Sequence, residues 1–346
     1  LSKVAAIRAE GTRPPAAKRT RAAAGARPRE RNCSVARTVA ILSDAWTFLV
    51  IREAFFGARR FETFRVRLGL PRGTLAERLK KLTRQGILRQ VRQSETSSRH
   101  EYRLTRVGLD LYASFIALLS FGDRWLADGA GPPLTLIHKD CGGEGHALEC
   151  HPFVACSACG GAVEATRVTY RDGPGAGSAP LEPLKRSRRA SDPSQFERGR
   201  PCSVARTLQI IGDRWSFLVI RQAFFGARRF DELQARLNIA SNILADRLAR
   251  LVAEGILERR KYQDLPERFE YRFSAKGKDL YGSMIMMMVW GDRWLSGGEP
   301  PLVLTHRDCG RDFTPVMVCD RCHEPIEPRA MAYRMNYPAE AALALK

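Results

Sequence analysis

The chain has 346 residues, 44% of them hydrophobic, and carries 57 Lys and Arg against 37 Asp and Glu, a formal net charge of +20. That hydrophobic share can fill two sizeable cores and excludes wholesale disorder. The charge calls for a polyanionic partner, with double-stranded DNA first and an acidic membrane surface second.

In chain order, residues 1–32 hold nine Lys or Arg against two Glu, among Ala, Pro and Gly, and are expected to form a disordered basic arm. The arm lacks the apolar stretch of a secretory signal. The longest apolar run, MIMMMVW at 284–290, is too short to cross a bilayer. The expectation is a cytoplasmic, nucleoid-associated protein with no membrane partner. Nine cysteines in such a chain argue against a disulfide framework and for metal or redox chemistry.

Residues 33–130 begin with apolar positions at helical spacing, Val35, Val39 and Leu42, then Trp46, Leu49 and Val50, which read as two successive helices. A short amphipathic piece, FETFRVRL, is followed by a break at Gly69 to Pro71. The next stretch, TLAERLKKLTRQG, carries Leu75, Leu79 and Leu82 on one stripe and ends at Gly86, where a helix C-terminus tolerates positive φ. ILRQVRQ and RHEYRLT, separated by a polar tip, alternate as a hairpin would, and GLDLYASFIALLSFGDRWL is a last long helix.

The same order returns 169 residues later. CSVART at 33–38 recurs at 202–207, FFGARRF at 55–61 recurs at 224–230, and GDRWL at 122–126 recurs at 291–295. A period this long marks a duplicated domain rather than a solenoid. The expected fold is mainly α with small β-hairpin wings, an α+β chain with two tandem winged helix-turn-helix domains, each followed by a small zinc-ribbon-like tail. The units are 33–130 with its tail at 131–170, a basic Gly/Pro/Ser linker at 171–200, 201–298 with its tail at 299–337, and a C-terminal tail at 338–346. The methionine-rich stretch of the second long helix is assigned to packing.

The strings CSVARTLQIIGDRWSFLVIRQAFFGARRFDEL, LADRLARLVAEGILERR and EYRFSAKGKDL resemble the HxlR-type winged helix-turn-helix regulators of bacteria, over nearly all of 202–295 and again over 33–126. The resemblance implies DNA-binding transcriptional regulation and dimerisation. The first copy departs from the pattern: Ala45 stands where the second has Arg214, Pro71, Arg72 and Gly73 open its recognition helix, and its wing tip lacks a counterpart of Pro266.

A recognition helix presents its N-terminal, outward residues to base edges in the major groove. Those expected here are Arg72, Gly73, Thr74, Glu77, Arg78 and Lys81, with counterparts Ser241, Asn242, Ile243, Asp246, Arg247 and Arg250. Arg59, Arg60, Arg228 and Arg229 precede each motif and suit phosphate contacts, as do Arg99 and Arg268 beside the wings. A merely solvated basic face is the plainer alternative for any one of them.

Each tail contains H-x2-C, a spacer and C-x2-C, the soft donors that a structural zinc site requires. The expected sets are His138, Cys141, Cys156 and Cys159, and His306, Cys309, Cys319 and Cys322, hence two structural zinc ions per chain. His146, Cys150 and His151 in the longer spacer of the first tail are substitute donors. Cys33 and Cys202 start the first helix of each copy with Arg37 and Arg206 one turn on. They read either as thiolates suited to redox sensing or as small buried apolar residues.

No nucleophile–base pairing or phosphate loop is evident, and no βαβ context precedes the C-x2-C pairs, so an enzyme is not expected. The reading is a DNA-binding regulator, an intrachain pseudodimer on an imperfect palindrome, open to a small-molecule or redox effector and to higher oligomers. The alternative is an interaction protein whose first copy serves as a docking or redox-sensing lobe.

Overall fold

A computed structural model describes residues 29–42, 44–92, 100–129, 131–143, 145–180, 196–197 and 200–337. Strand β1 (Arg29–Arg31) leads into the first winged helix: α1 (Ser34–Leu42), α2 (Ala45–Phe55), α3 (Phe61–Leu68), α4 (Arg72–Arg84), the hairpin β2 (Leu88–Arg92) and β3 (His100–Leu104), then α5 (Arg106–Leu109) and α6 (Tyr112–Trp125). The first tail supplies β4 (Leu134–His138), β5 (Leu148–Glu149), β6 (Phe153–Cys156) and β7 (Val168–Asp172), and β8 (Ser178–Pro180) pairs back onto β1.

The second copy repeats the order: α7 (Ser203–Ile211), α8 (Arg214–Phe224), α9 (Phe230–Leu237), α10 (Ser241–Ala253), the wing β9 (Leu257–Gln263) and β10 (Arg268–Phe273), α11 (Ala275–Asp279) and α12 (Tyr281–Leu295). Its tail adds β11 (Leu302–His306), β12 (Arg311–Phe313), β13 (Pro315–Val318) and β14 (Met331–Met335).

The elements follow from local chemistry. The carboxylate of Asp44 accepts from the amide and hydroxyl of Thr47 and so caps α2, and Asp213 accepts from the amides of Trp215 and Ser216 to cap α8. The turn between α3 and α4 passes through Gly69 at φ 62°, and its counterpart between α9 and α10 through Asn238 at φ 47°, residue types that tolerate the left-handed region. Leu75, Leu79 and Leu82 on α4, and Leu244, Leu248 and Leu251 on α10, are fully buried and fix which face remains outside.

The two copies interlock. Helix α1 packs along α12 and α7 packs along α6. A Cβ on Gly122 would lie 2.3 Å from the Ser203 carbonyl oxygen, and one on Gly291 would lie 2.7 Å from that of Ser34, so only glycine allows this approach. Around these contacts the Ser34 hydroxyl donates to Asp292, and that of Ser203 to Asp123. The Thr38 hydroxyl donates to the Met287 carbonyl at 3.0 Å and that of Thr207 to the Leu118 carbonyl at 2.8 Å. The indoles of Trp125 and Trp294 donate to Asp279 and Asp110. CSVART is therefore repeated because each copy of it grips the GDRW of the other half.

The tails also exchange partners. Strand β14 of the second tail pairs with β4 of the first, β11 with β7, and β13 with β6, all antiparallel. Two expected boundaries move. The segment 171–200 was expected as linker, yet β7 runs to Asp172 because the second tail supplies β11 as its partner edge, and β8 follows it, paired with β1. The arm expected over 1–32 gives up Arg29–Arg31 to β1, and residues 1–28, 181–195 and 338–346 lie outside the described residues. The methionine-rich helix is packed as expected, with Met284, Met286, Met287 and Met288 buried. Among the described residues, no helix is long and apolar enough to cross a membrane.

Candidate DNA-reading surface and metal centres

Helix α4 turns Arg72, Gly73 and Glu77 to solvent, and α10 turns out Ser241, Asn242 and Asp246, while Thr74 and Ile243 are half-buried. Arg72 is 74% exposed, lies over the Phe61 ring and pairs with Glu62 at 2.9 Å. Four other residues expected to read bases are turned toward the protein. Arg78 donates through Nε and Nη2 to Asp44 at 3.2 and 3.1 Å, and Arg247 donates to Asp213 at 2.9 Å. Lys81 donates to the Ala40 carbonyl and Arg250 to the Gln209 carbonyl.

The cause is that this flank of the helix faces the α1–α2 junction. There an N-cap carboxylate and the last carbonyls of the preceding helix attract cations. Lys80, which sequence reading passed over, is exposed on the same stripe as Gly73 and Glu77. Its i+3 spacing from Glu77 was the available signal.

Arg59, Arg60, Arg228 and Arg229 are exposed at the turn before α3 and α9. That turn is held against the wing, since the Arg59 carbonyl accepts from the Tyr102 amide and the Arg228 carbonyl from that of Tyr271. Arg229 lies 4.7 Å from the centre of the Tyr262 ring. Arg268 is exposed at the start of β10, whereas Arg99 lies outside the described residues.

The eight Cys and His donors gather into two clusters, but not as their order in the chain suggests. His138 and Cys141 of the first tail meet Cys319 and Cys322 of the second, and Cys156 and Cys159 meet His306 and Cys309. The within-tail sets are thus corrected: the strand exchange delivers the H-x2-C of one tail to the C-x2-C of the other. Cys141 and Cys319 sulfurs are 3.9 Å apart, Cys322 Sγ is 3.4 Å from His138 Nδ1, and Cys159 Sγ is 3.3 Å from His306 Nδ1. A tetrahedron with ordinary zinc–sulfur and zinc–nitrogen bonds has edges of about 3.8 Å and about 3.6 Å, so the donor set fits zinc.

Each loop is shaped to converge its donors. Gly160 and Gly310 follow their pairs at φ 73° and 65°, and their amides return to the Cys156 and His306 carbonyls at 2.8 Å. His323 fills the corresponding place after Cys322 at φ 60°.

The thiols are unequal. A backbone amide, that of Arg311, together with the His306 side chain, holds Cys309 down to about 6, while burial pushes Cys141 up to about 12. Asp308 stands 3.7 Å from His306 Nε2, beyond hydrogen-bond reach, and that buried nitrogen has no hydrogen-bond partner. Of the substitute donors, buried Cys150 joins Cys319 and Asp320 beside the first cluster, while His146 and His151 are exposed and belong to neither.

Cys33 and Cys202 are buried at the starts of α1 and α7. The nearby arginines have partners of their own. Arg37 donates to the Leu295 carbonyl and Arg206 to the Leu126 carbonyl, each closing the C-terminal end of the other copy's long helix.

Two winged helix-turn-helix units, each with an exposed recognition helix, define a helix-turn-helix protein of the α+β class. The chain belongs to the HxlR-like helix-turn-helix family, whose model matches residues 41–130 and 210–299. It is similar to an uncharacterized HTH-type transcriptional regulator of Mycobacterium tuberculosis, 43% identical over 128 residues, 37% of this chain and 81% of the relative. An uncharacterized HTH-type transcriptional regulator of Synechocystis is 34% identical over 101 residues, 29% of this chain and 75% of the relative. A solved structure of a candidate transcription factor from Pseudomonas aeruginosa is 40% identical, covering 31% of this chain and 73% of that one, with a TM-score of 0.25.

Proposed function

We propose that this protein is a sequence-specific transcriptional regulator that binds duplex DNA as a single-chain pseudodimer on an imperfect palindrome. The observation that carries the reading is the reciprocal grip of equivalent residues, Ser34 on Asp292 and Ser203 on Asp123, which relates the two recognition helices as partners in a dimer would be. Two-fold reading heads suit half-sites about 34 Å apart on one face of the duplex. Exposed Arg59, Arg60, Arg228 and Arg229 suit phosphates, while Arg72 and Asn242, exposed at the starts of α4 and α10, suit base edges.

The reading includes two structural zinc ions per chain. Zinc would be held by His138, Cys141, Cys319 and Cys322, and by Cys156, Cys159, His306 and Cys309. When bound it supplies cross-linking rather than reactivity, because four protein donors leave no open position for water or substrate. Since each set draws on both tails, the metals would clamp the copies together.

Selection of randomised duplexes by the purified protein, followed by a salt titration on the selected site, tests the DNA reading. With ~6 to 10 phosphate contacts, affinity drops ~10³- to 10⁵-fold between ~50 and ~200 mM salt. No enriched site, or a flat titration, overturns it.

A further inference from the structure

A cavity of about 130 Å³ lies where the first winged helix meets both the second copy and its tail. Its walls are mostly apolar and partly aromatic: Phe55 from α2, Tyr112, Phe115 and Leu119 from α6, Leu136 from β4 and Met331 from β14. Phe55 sits 5.2 Å from Tyr112 and 5.5 Å from Phe115, centroid to centroid, in tilted and edge-on pairings that leave ring faces for a further aromatic group. The volume is close to that of an engineered cavity known to take benzene, about 150 Å³.

One lining residue breaks the apolar pattern. Arg52 is 3% exposed, and while its Nε and Nη2 donate to Glu53 Oε1 at 3.1 and 2.8 Å, its Nη1 has no hydrogen-bond partner. The Cys202 thiol lies beside the guanidinium but offers only a weak acceptor. An unsatisfied donor on a buried cation is costly unless something accepts from it.

Local charge points the same way. Glu53 is fully buried and also takes Arg200 at 2.5 Å and Arg67 at 3.5 Å, so three guanidiniums share one carboxylate and the group remains cationic. At the matching place the second copy has Gln222, with Met284 and Met288 for Phe115 and Leu119. The inference therefore concerns the first copy.

We propose that this cavity binds a small monocyclic aromatic carboxylate, its ring among Phe55, Tyr112 and Phe115 and its carboxylate on Arg52. Nη1 is sealed from solvent in this arrangement; with a shift of the side chain that opens it to the cavity, two oxygens can accept from it and complete the guanidinium's hydrogen bonds in a charge-assisted contact. A ligand there touches both copies and stabilises their association by mass action.

The experiment is calorimetry and thermal denaturation of the full chain with benzoate, compared with benzyl alcohol, which keeps the ring, and acetate, which keeps the charge. Benzoate binds and raises the melting temperature, and each comparison compound binds at least about tenfold more weakly. Arg52→Met lowers benzoate affinity about ten- to hundredfold. Should that variant not fold, Leu119→Trp fills the cavity with Arg52 in place and abolishes binding. No benzoate binding by the wild type, or affinity retained in a folded Arg52→Met or in Leu119→Trp, overturns the proposal. No DNA is present, so the result is independent of the DNA-binding reading.

Discussion

Phe48 of the first copy stacks on Phe217 of the second, the same position 169 residues on, with ring centroids 6.0 Å apart and planes 13° from parallel. A residue meets its own counterpart only beside a two-fold axis. Asp44 and Asp213, another equivalent pair, form a backbone bridge there as well. Because Arg78 and Arg247 bind those two aspartates, each recognition helix is tied directly to the axis.

The exchanged clusters make a prediction that separates them from clusters built within each tail. Cys141→Ser with Cys319→Ser removes two donors from one cluster, so the purified chain retains one of two zinc ions. Cys141→Ser with Cys156→Ser damages both clusters and loses both ions. Elemental analysis of protein made without added metal reads the difference, and the opposite pattern would restore the within-tail sets.

Glycine substitutions map the interlock. Gly122→Ala drives a methyl to 2.3 Å from the Ser203 carbonyl and is expected to destabilise the fold by about 1–3 kcal/mol or more. Gly73→Ala on α4 meets nothing within 4 Å and is expected to stabilise it by up to about 1 kcal/mol through helix propensity. Denaturant unfolding of both variants gives the comparison, and a Gly122→Ala protein as stable as wild type contradicts the packing described.

Burial raises Asp123 and Asp292 from 3.8 to about 6, against the hydrogen bonds from Ser203 and Ser34. A carboxyl whose folded value exceeds its unfolded one contributes stability that is complete below about 4 and lost as pH rises through about 6. Replacing both with Asn removes that dependence. The stability difference between wild type and the double variant, followed by thermal unfolding from pH 4 to pH 7, should shift against the wild type as pH rises. A constant difference would show that neither carboxyl titrates across this interval.

The two recognition helices present different chemistry. Asn242→Ala is expected to cost about 1–3 kcal/mol of discrimination at one base pair in one half-site, because an amide pairs with adenine through two hydrogen bonds. Arg72→Ala relaxes a position in the other half-site. Binding selections for wild type and both variants test this, and a perfectly symmetric wild-type consensus would rule out a single-chain pseudodimer.

Much of the fold was legible because its signals are local: the leucine stripe at helical spacing, the break at Gly69 to Pro71, and Gly86 where a helix end turns left-handed. The Cys and His residues of the two clusters were equally readable from H-x2-C and C-x2-C. Their pairing was not, since spacing cannot distinguish His138 with Cys156 from His138 with Cys322. That choice is made by β4 adding to β14 and β11 to β7, contacts between strands more than a hundred residues apart. The pairing of Arg78 and Arg247 with carboxylates was hidden for a related reason: periodicity places them on a helix flank but does not say that a carboxylate 34 residues earlier waits beside it.

Glu53, buried among three arginines, has no carboxylate counterpart in the second copy. Arg200 turns inward to reach it, while Arg31, at the matching position, goes instead to Asp172. In an assembly of two identical chains, any such substitution is inherited by both halves at once, and a change useful to one must be tolerated by the other. Joining the halves in one gene removes that constraint. Each lobe can then diverge alone while its partner preserves the shared scaffold, as the Glu–Gln difference at 53 and 222 has already begun to do.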